Sequence, residues 1–182
     1  MTTANAEFDP QDPAGSFATT WQRVIVEPQA FFEALPTAGG LQPPLIFAGI
    51  CLTIGGLGFL VFGGGIKGLV LIVMLGIVRL FIGSAIVAFI AQRIFDGRGD
   101  YEATFRAIGY TSAVAVFIGI PLIKYFAAIY GAYLAIIGLG RAHSFDNTRA
   151  FLTLVATAVV AVVIIHALGL WGMMQRVNPL FR

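Results

Sequence analysis

The sequence predicts an all-α polytopic membrane protein: a five-transmembrane-helix bundle preceded by an amphipathic segment at the membrane interface. Three observations predict it. Of 182 residues, 58% are hydrophobic and only 11% charged, against about 25% charged in an average soluble domain. Five apolar stretches approach the roughly 20 residues that a helix needs to cross a bilayer core. All the carboxylates fall outside those stretches: Glu7, Asp9, Asp12, Glu27, Glu33, Asp96, Asp100, Glu102 and Asp146. A net charge of +2 is too small to argue for nucleic acid. Cys51 is the single cysteine, so no intrachain disulfide can form.

Residues 1–15 are polar and acidic and are expected to be disordered. They lack the basic start and apolar core of a signal peptide, so the first span is expected to stay in the mature protein. Residues 16–43 form the interfacial segment. Phe17, Trp21, Val24 and Ile25 recur at helical spacing, and Phe31, Phe32 and Leu35 do so again after Pro28. Arg23, Glu27 and Glu33 are interleaved. The pattern predicts one or two short amphipathic helices broken at Pro28. They either lie on the cytoplasmic membrane face or pack under the bundle.

The five-helix unit covers residues 44–173. Its first span runs over 44–62 and ends in Gly63-Gly64-Gly65, read as an interhelical loop because no Lys-Ser/Thr follows it. The second covers about 68–91. After the loop "QRIFDGRGDYEATFR" the third covers about 107–120. Pro121 then breaks the chain, because a single kinked helix would hold Lys124 at mid-bilayer. The fourth span covers about 125–139 and the fifth about 150–171, followed by a short tail, 174–182. Arg23, Arg93, Arg98, Arg106, Arg141 and Arg149 then share one side, against Lys67, Lys124, Arg176 and Arg182. That bias predicts a cytoplasmic N-terminus and an outer C-terminus, as in a bacterial inner (cytoplasmic) membrane.

Arg79 is the one charge between Gly68 and Gln92. Counted from Lys67 and Arg93 it sits near mid-membrane, where an arginine costs about 2.5–3.5 kcal/mol on insertion scales. No acid in the spans can compensate it, so Arg79 is expected to face the bundle interior. Helix carbonyls, Ser84, Tyr110, Glu27, water or an anion would meet it there. Small residues matter for helix contact in lipid. Ala127, Gly131 and Ala135 form such a row, which serves packing inside the bundle or a homodimer. Cys51 with Gly55, and Thr157 with Ala161, form shorter ones.

No catalytic motif stands out, and neither His143 nor His166 has acids or cysteines at ligand spacing. No metal and no cofactor is expected. His143-Ser144 with Asp146 reads as a polar loop, and Arg98-Gly99-Asp100 as a glycine-containing turn. The missing membrane-embedded acid also counts against an ion-coupled carrier.

Three segments carry a family pattern: "WQRVIVEPQAFFEALP" before the first span, "GRGDYEATFRAIGYTSA" entering the third, and "GLGRAHSFDNTRAF" joining the fourth to the fifth. On Trp21, Pro28 and Phe32, on Thr104, Arg106, Gly109 and Tyr110, and on Gly138, His143, Arg149 and Ala150, the chain resembles the Yip-domain family. These are the Ypt/Rab-interacting membrane proteins, here in compact prokaryotic form. The resemblance covers roughly residues 20–172 and implies a five-helix bundle with a cytoplasmic N-terminus. The chain has a short N-terminal segment and lacks the Asp-Leu-Tyr-Gly-Pro motif of the eukaryotic, Rab-binding branch.

Two functions follow as expectations. The first is a non-enzymatic membrane-organising or scaffold factor. It would work through Trp21, Glu27, Pro28, Arg106, Tyr110, Arg141, His143 and Arg149 on one cytoplasmic face, with membrane lipids and a protein partner. The second is a lipid- or small-solute-conducting protein with Arg79 as an intramembrane anion or phosphate contact, since a guanidinium binds phosphate bidentately.

Overall fold

The computed structural model describes residues 7–167, and seven α-helices occur among them. The first, α1 (Pro13–Val26), starts where Asp12 caps it: the Asp12 carboxylate accepts the Gly15 N–H at 3.0 Å, and Pro13 takes the first helical position. Glu27 closes α1 with its N–H and opens α2 (Pro28–Ala34) with its carbonyl. The expected break at Pro28 is therefore present. The order begins earlier than the 1–15 expectation allows. Glu7 and Phe8 are already packed, Phe8 being 2% exposed.

The two short helices spend their apolar faces on the bundle. Phe31 and Phe32 are buried. The Trp21 indole N–H donates to the Ala113 carbonyl at 3.0 Å, and its ring lies against Phe117. Of the two readings of this segment, packing against the bundle has these contacts behind it. Trp21→Phe keeps the ring and removes only the bond. It is expected to cost about 1 kcal/mol, read as a lowered Tm; an unchanged Tm would show the bond to contribute nothing.

Next come α3 (Gln42–Phe59) and α4 (Gly65–Ile94), joined by a wide turn at Leu60–Gly64. Gly63 (φ 89°) and Gly65 (φ 65°) adopt left-handed backbone there, which explains the glycine run as a loop. The helices are antiparallel: Gly76 meets Leu52, Gly68 meets Phe59, and Leu80 clusters with Ala48. After the charged loop, α5 (Tyr101–Thr111) passes into a 3₁₀ turn, Ser112–Phe117. The chain breaks around Pro121, with Leu122 at φ 67°. Then follow α6 (Ile123–His143) and α7 (Asn147–Ala167).

Four helices are long and apolar enough to cross a membrane: Gln42–Gly63, Gly65–Ile94, Ile123–His143 and Asn147–Ala167. The expected third span, 107–120, is not one of them. Its residues are divided between the end of α5, the 3₁₀ turn and the break. They still run beside α3 in the same direction: Gly109 meets Pro44, Gly55 meets Ala115, and Gly119 meets Gly58. A 3₁₀ turn rises about 2.0 Å per residue against 1.5 Å in an α-helix, so few residues cover the distance.

The Ala127, Gly131, Ala135 row faces inward. Both alanines are buried, and Gly131 lies against Val114. The row therefore takes part in packing within the chain. The end of the expected fifth span, the 174–182 tail and residues 1–6 lie outside the described residues.

Candidate functional site at the charged-loop end

Polar side chains gather where α5 starts, α6 ends and the N-terminal segment docks. Asp100 caps α5, its carboxylate accepting the Ala103 N–H at 2.8 Å. That cap sets the helical register that turns Thr104, Arg106 and Tyr110 inward; all three are at most 0% exposed. Arg106 is the largest buried charge. Its Nε donates to the Pro36 carbonyl at 2.8 Å, Nη1 to the Gly40 carbonyl at 2.7 Å, and Nη2 to Glu7 Oε2 at 2.6 Å. The other Glu7 oxygen accepts the Tyr110 hydroxyl at 2.9 Å. Tyr110 is held between the rings of Phe31 and Phe47.

The loop before α3 is drawn in from a second direction. Glu102 Oε1 accepts the N–H of Gly39 at 2.7 Å and of Gly40 at 2.6 Å. Gly40 holds φ 84°, and a Cβ on Gly39 would stand 3.0 Å from Arg106 Nη1. Only glycine lets the backbone approach the guanidinium so closely.

His143 closes the end of α6. Thr104 gives its hydroxyl proton to the Asp100 carbonyl at 2.7 Å, so its oxygen accepts from His143 Nε2 at 2.8 Å. The Nδ1 side is then the bare lone pair. It faces the glycines of the charged loop: a Cβ on Gly97 or Gly99 would lie 2.6 Å or 3.1 Å from it. Nδ1 has no hydrogen-bond partner among the described residues. The ring stacks on Phe145. Ser144 follows in left-handed conformation (φ 57°), and the Phe145 N–H returns to the Gly140 carbonyl at 2.8 Å, ending the helix.

This cluster ties elements together. Arg106 spends its donors on two carbonyls and one carboxylate, and those bonds join the N-terminal segment, the loop before α3 and α5. Among the described residues no three His, Cys, Asp or Glu side chains come together as metal ligands.

With this geometry in place, the family comparison decides the membership: the Yip1 domain matches residues 23–168. The chain belongs to the Yip1-domain family. No curated protein and no solved structure gives a match.

In this Yip1-domain protein the sequence-predicted residues separate into two groups. Arg106 and Tyr110 are buried around Glu7, and His143 is buried against Thr104 of the same helix α5; Trp21 packs on the core that holds Tyr110, and Pro28 is buried at the start of α2. Glu27, Arg141 and Arg149 are exposed around it. Arg149 approaches Asp146 only at 3.8 Å. Glu7 was not singled out by the sequence because it stands in a polar stretch. Phe8 beside it and the Asp12-Pro13 helix start were the legible signs of order there.

Arg79 does not face the interior. It is exposed on α4, beside the exposed Val78 and Ile82. Ser84 is buried on another face of that helix, and the Tyr110 hydroxyl is committed to Glu7. Its depth also differs from the count along the chain. The next residue, Leu80, clusters with Ala48, which is only about 9 Å along α3 from its first residue, Gln42. The Phe81 carbonyl accepts the hydroxyl of Tyr101, the first residue of α5. The last turns of α4 therefore run past the start of α3, and Arg79 lies within snorkelling reach of the charged-loop end. Arg79→Leu is expected to leave the Tm of the purified protein within about 2 °C of the parent. A larger loss would place a structural partner at Arg79.

Proposed function

We propose that this Yip1-domain protein is a non-enzymatic membrane-organising or scaffold factor that works through its charged-loop end. That end faces the cytoplasm of a bacterial inner membrane, with the N-terminus on the same side. The chain then makes five passes, the third through α5 and the 3₁₀ turn, and its C-terminus is outside. The positive bias of the loops supports this orientation.

The observation that carries the reading is the division of polar groups at that end. Arg106, Glu7, Tyr110, Thr104 and the Nε2 of His143 are engaged in internal bonds that tie the elements of this end into a cap. Around the cap, Glu27, Glu33, Arg141 and Arg149 are exposed. An internally bonded platform with a mixed-charge rim is suited to docking rather than to turnover. Below the cap the bundle interior is filled by Phe47, Cys51, Ala113 and Leu134, all buried.

Site-specific photocrosslinking in native membranes tests it. A photoreactive side chain at Glu27 or Arg149 is expected to give a discrete adduct with one protein. The same probe at Met74, on the exposed face of α4, is expected to give none. A well-folded protein without adducts at either rim position would sink the scaffold reading. Reconstituted vesicles that scramble a labelled phospholipid would replace it with a conducting one.

A further inference from the structure

A cavity of about 780 Å³ opens between α2, α6 and α7 at the charged-loop end. Its volume falls in the range of ligand sites, about 300–1,000 Å³. Its apolar wall is formed by Phe32, Tyr133, Ile136 and Phe151, and its mouth by Glu33, Arg141 and Thr148. From these residues and their placement we infer that the cleft binds one phosphatidylethanolamine molecule of the adjoining leaflet.

Two features of the cleft select this occupant. The first is continuity with the membrane surface of the bundle. Tyr133 is 42% and Phe151 52% exposed, and one turn further into the spans Ile129 and Val155 are 72% and 43% exposed. An acyl chain lying in the cleft continues down this strip between α6 and α7. A soluble peptide would run into the bilayer there.

The second is charge. Arg141 and Glu33 both stand exposed at the mouth, and among the described residues neither side chain makes an ion pair. Among the described residues the Arg141 side chain makes one hydrogen bond, a 3.4 Å contact to the Glu33 carbonyl. A cation and an anion held side by side but not spent on each other match a zwitterion. The phosphate takes the guanidinium fork, and the primary ammonium takes the carboxylate. The first turn of α7 lies at the same mouth, and its dipole adds positive potential for the phosphate. A choline headgroup offers Glu33 no N–H donor, and a glycerol headgroup offers it no charge.

Native mass spectrometry of the purified full chain tests this, with phosphatidylethanolamine, phosphatidylcholine and phosphatidylglycerol supplied at equal concentration. The expected result is one retained phosphatidylethanolamine per chain, in preference to the other two. Arg141→Gln and Glu33→Gln are each expected to lower its occupancy on the order of tenfold. Both side chains are exposed, so the variants keep the parent Tm, which is measured alongside. Equal retention of all three lipids, preference for phosphatidylglycerol, no retained lipid, or occupancy unchanged in both variants would each overturn the assignment. The outcome is independent of photocrosslinking at the rim, so the scaffold reading and the lipid site can fail separately.

Discussion

Arg106→Leu is expected to lower the stability of the purified protein by about 3–5 kcal/mol, the usual cost of breaking a buried ion pair by removing one partner. The guanidinium is fully buried, and its loss strands the carbonyls of Pro36 and Gly40 and leaves the Glu7 carboxylate with Tyr110 alone. Glu7 is 17% exposed, so water can meet part of its charge. The reverse change, Glu7→Leu, is expected to be damaging too, because it leaves Arg106 charged without a counterion. The double variant Glu7→Leu/Arg106→Leu is expected to lose clearly less than the sum of the single losses, since removing both partners removes the unpaired charge. Arg106→Lys is expected to recover little: one ammonium cannot reach in three directions as the guanidinium does. Unfolding in graded denaturing detergent measures all four. An Arg106→Leu protein within about 1 kcal/mol of the parent would show that the cluster contributes no net stability.

Gly55→Ala is expected to cost about 1–3 kcal/mol or more by overpacking. A methyl group at Gly55 would stand 1.9 Å from the Ala115 carbonyl oxygen and 2.8 Å from Ile118 Cγ2. The first obstacle is backbone, and it cannot rotate away as a side chain would. Gly119 approaches from the other side, where a Cβ would lie 2.2 Å from the Phe59 nitrogen and 2.4 Å from the Gly55 carbonyl oxygen. Gly119→Ala is therefore expected to act in the same direction. Gly49→Ala is the control: nothing lies within 4 Å of its would-be Cβ. It lies in the same helix, where alanine is favoured over glycine by about 0.5–1 kcal/mol, so it is expected to be neutral or mildly stabilising. Equal Tm values for Gly55→Ala and Gly49→Ala would show that α3 and the 3₁₀ turn are not in close contact.

These two predictions bear on why residues 107–120, expected as a helical span, are not among the four helices long and apolar enough to cross a membrane. "AIGYTSAVAVFIGI" has the hydropathy of a span, and hydropathy was all that could be counted. The glycines that let backbone meet backbone lie far apart in sequence, at Gly55, Gly58 and Gly119. In lipid, close contact of this kind holds helices together, and here it lets a 3₁₀ turn stand beside α3. The two arginines make the same point. Arg79 drew notice because its neighbours are apolar, yet it is exposed; Arg106 sits in the mixed segment "YEATFRAIGYT" and is the one fully buried. The family motif did mark Arg106, Tyr110 and His143 as important, but it left their partners unnamed.

The sequence by itself determined the solvent. Hydropathy adds up residue by residue, so it showed that the chain is a membrane protein, which segments are apolar enough to span, and that the chain breaks at Pro28, Gly63 and Pro121. Tertiary structure alone decided which arginine is buried, which acid meets it and how deep each residue lies. Those depend on contacts such as Glu7 with Arg106, 99 positions apart, and on how far α4 runs past α3. No local window holds both ends of such a contact, and a charge is costly or harmless according to what surrounds it in space, not along the chain.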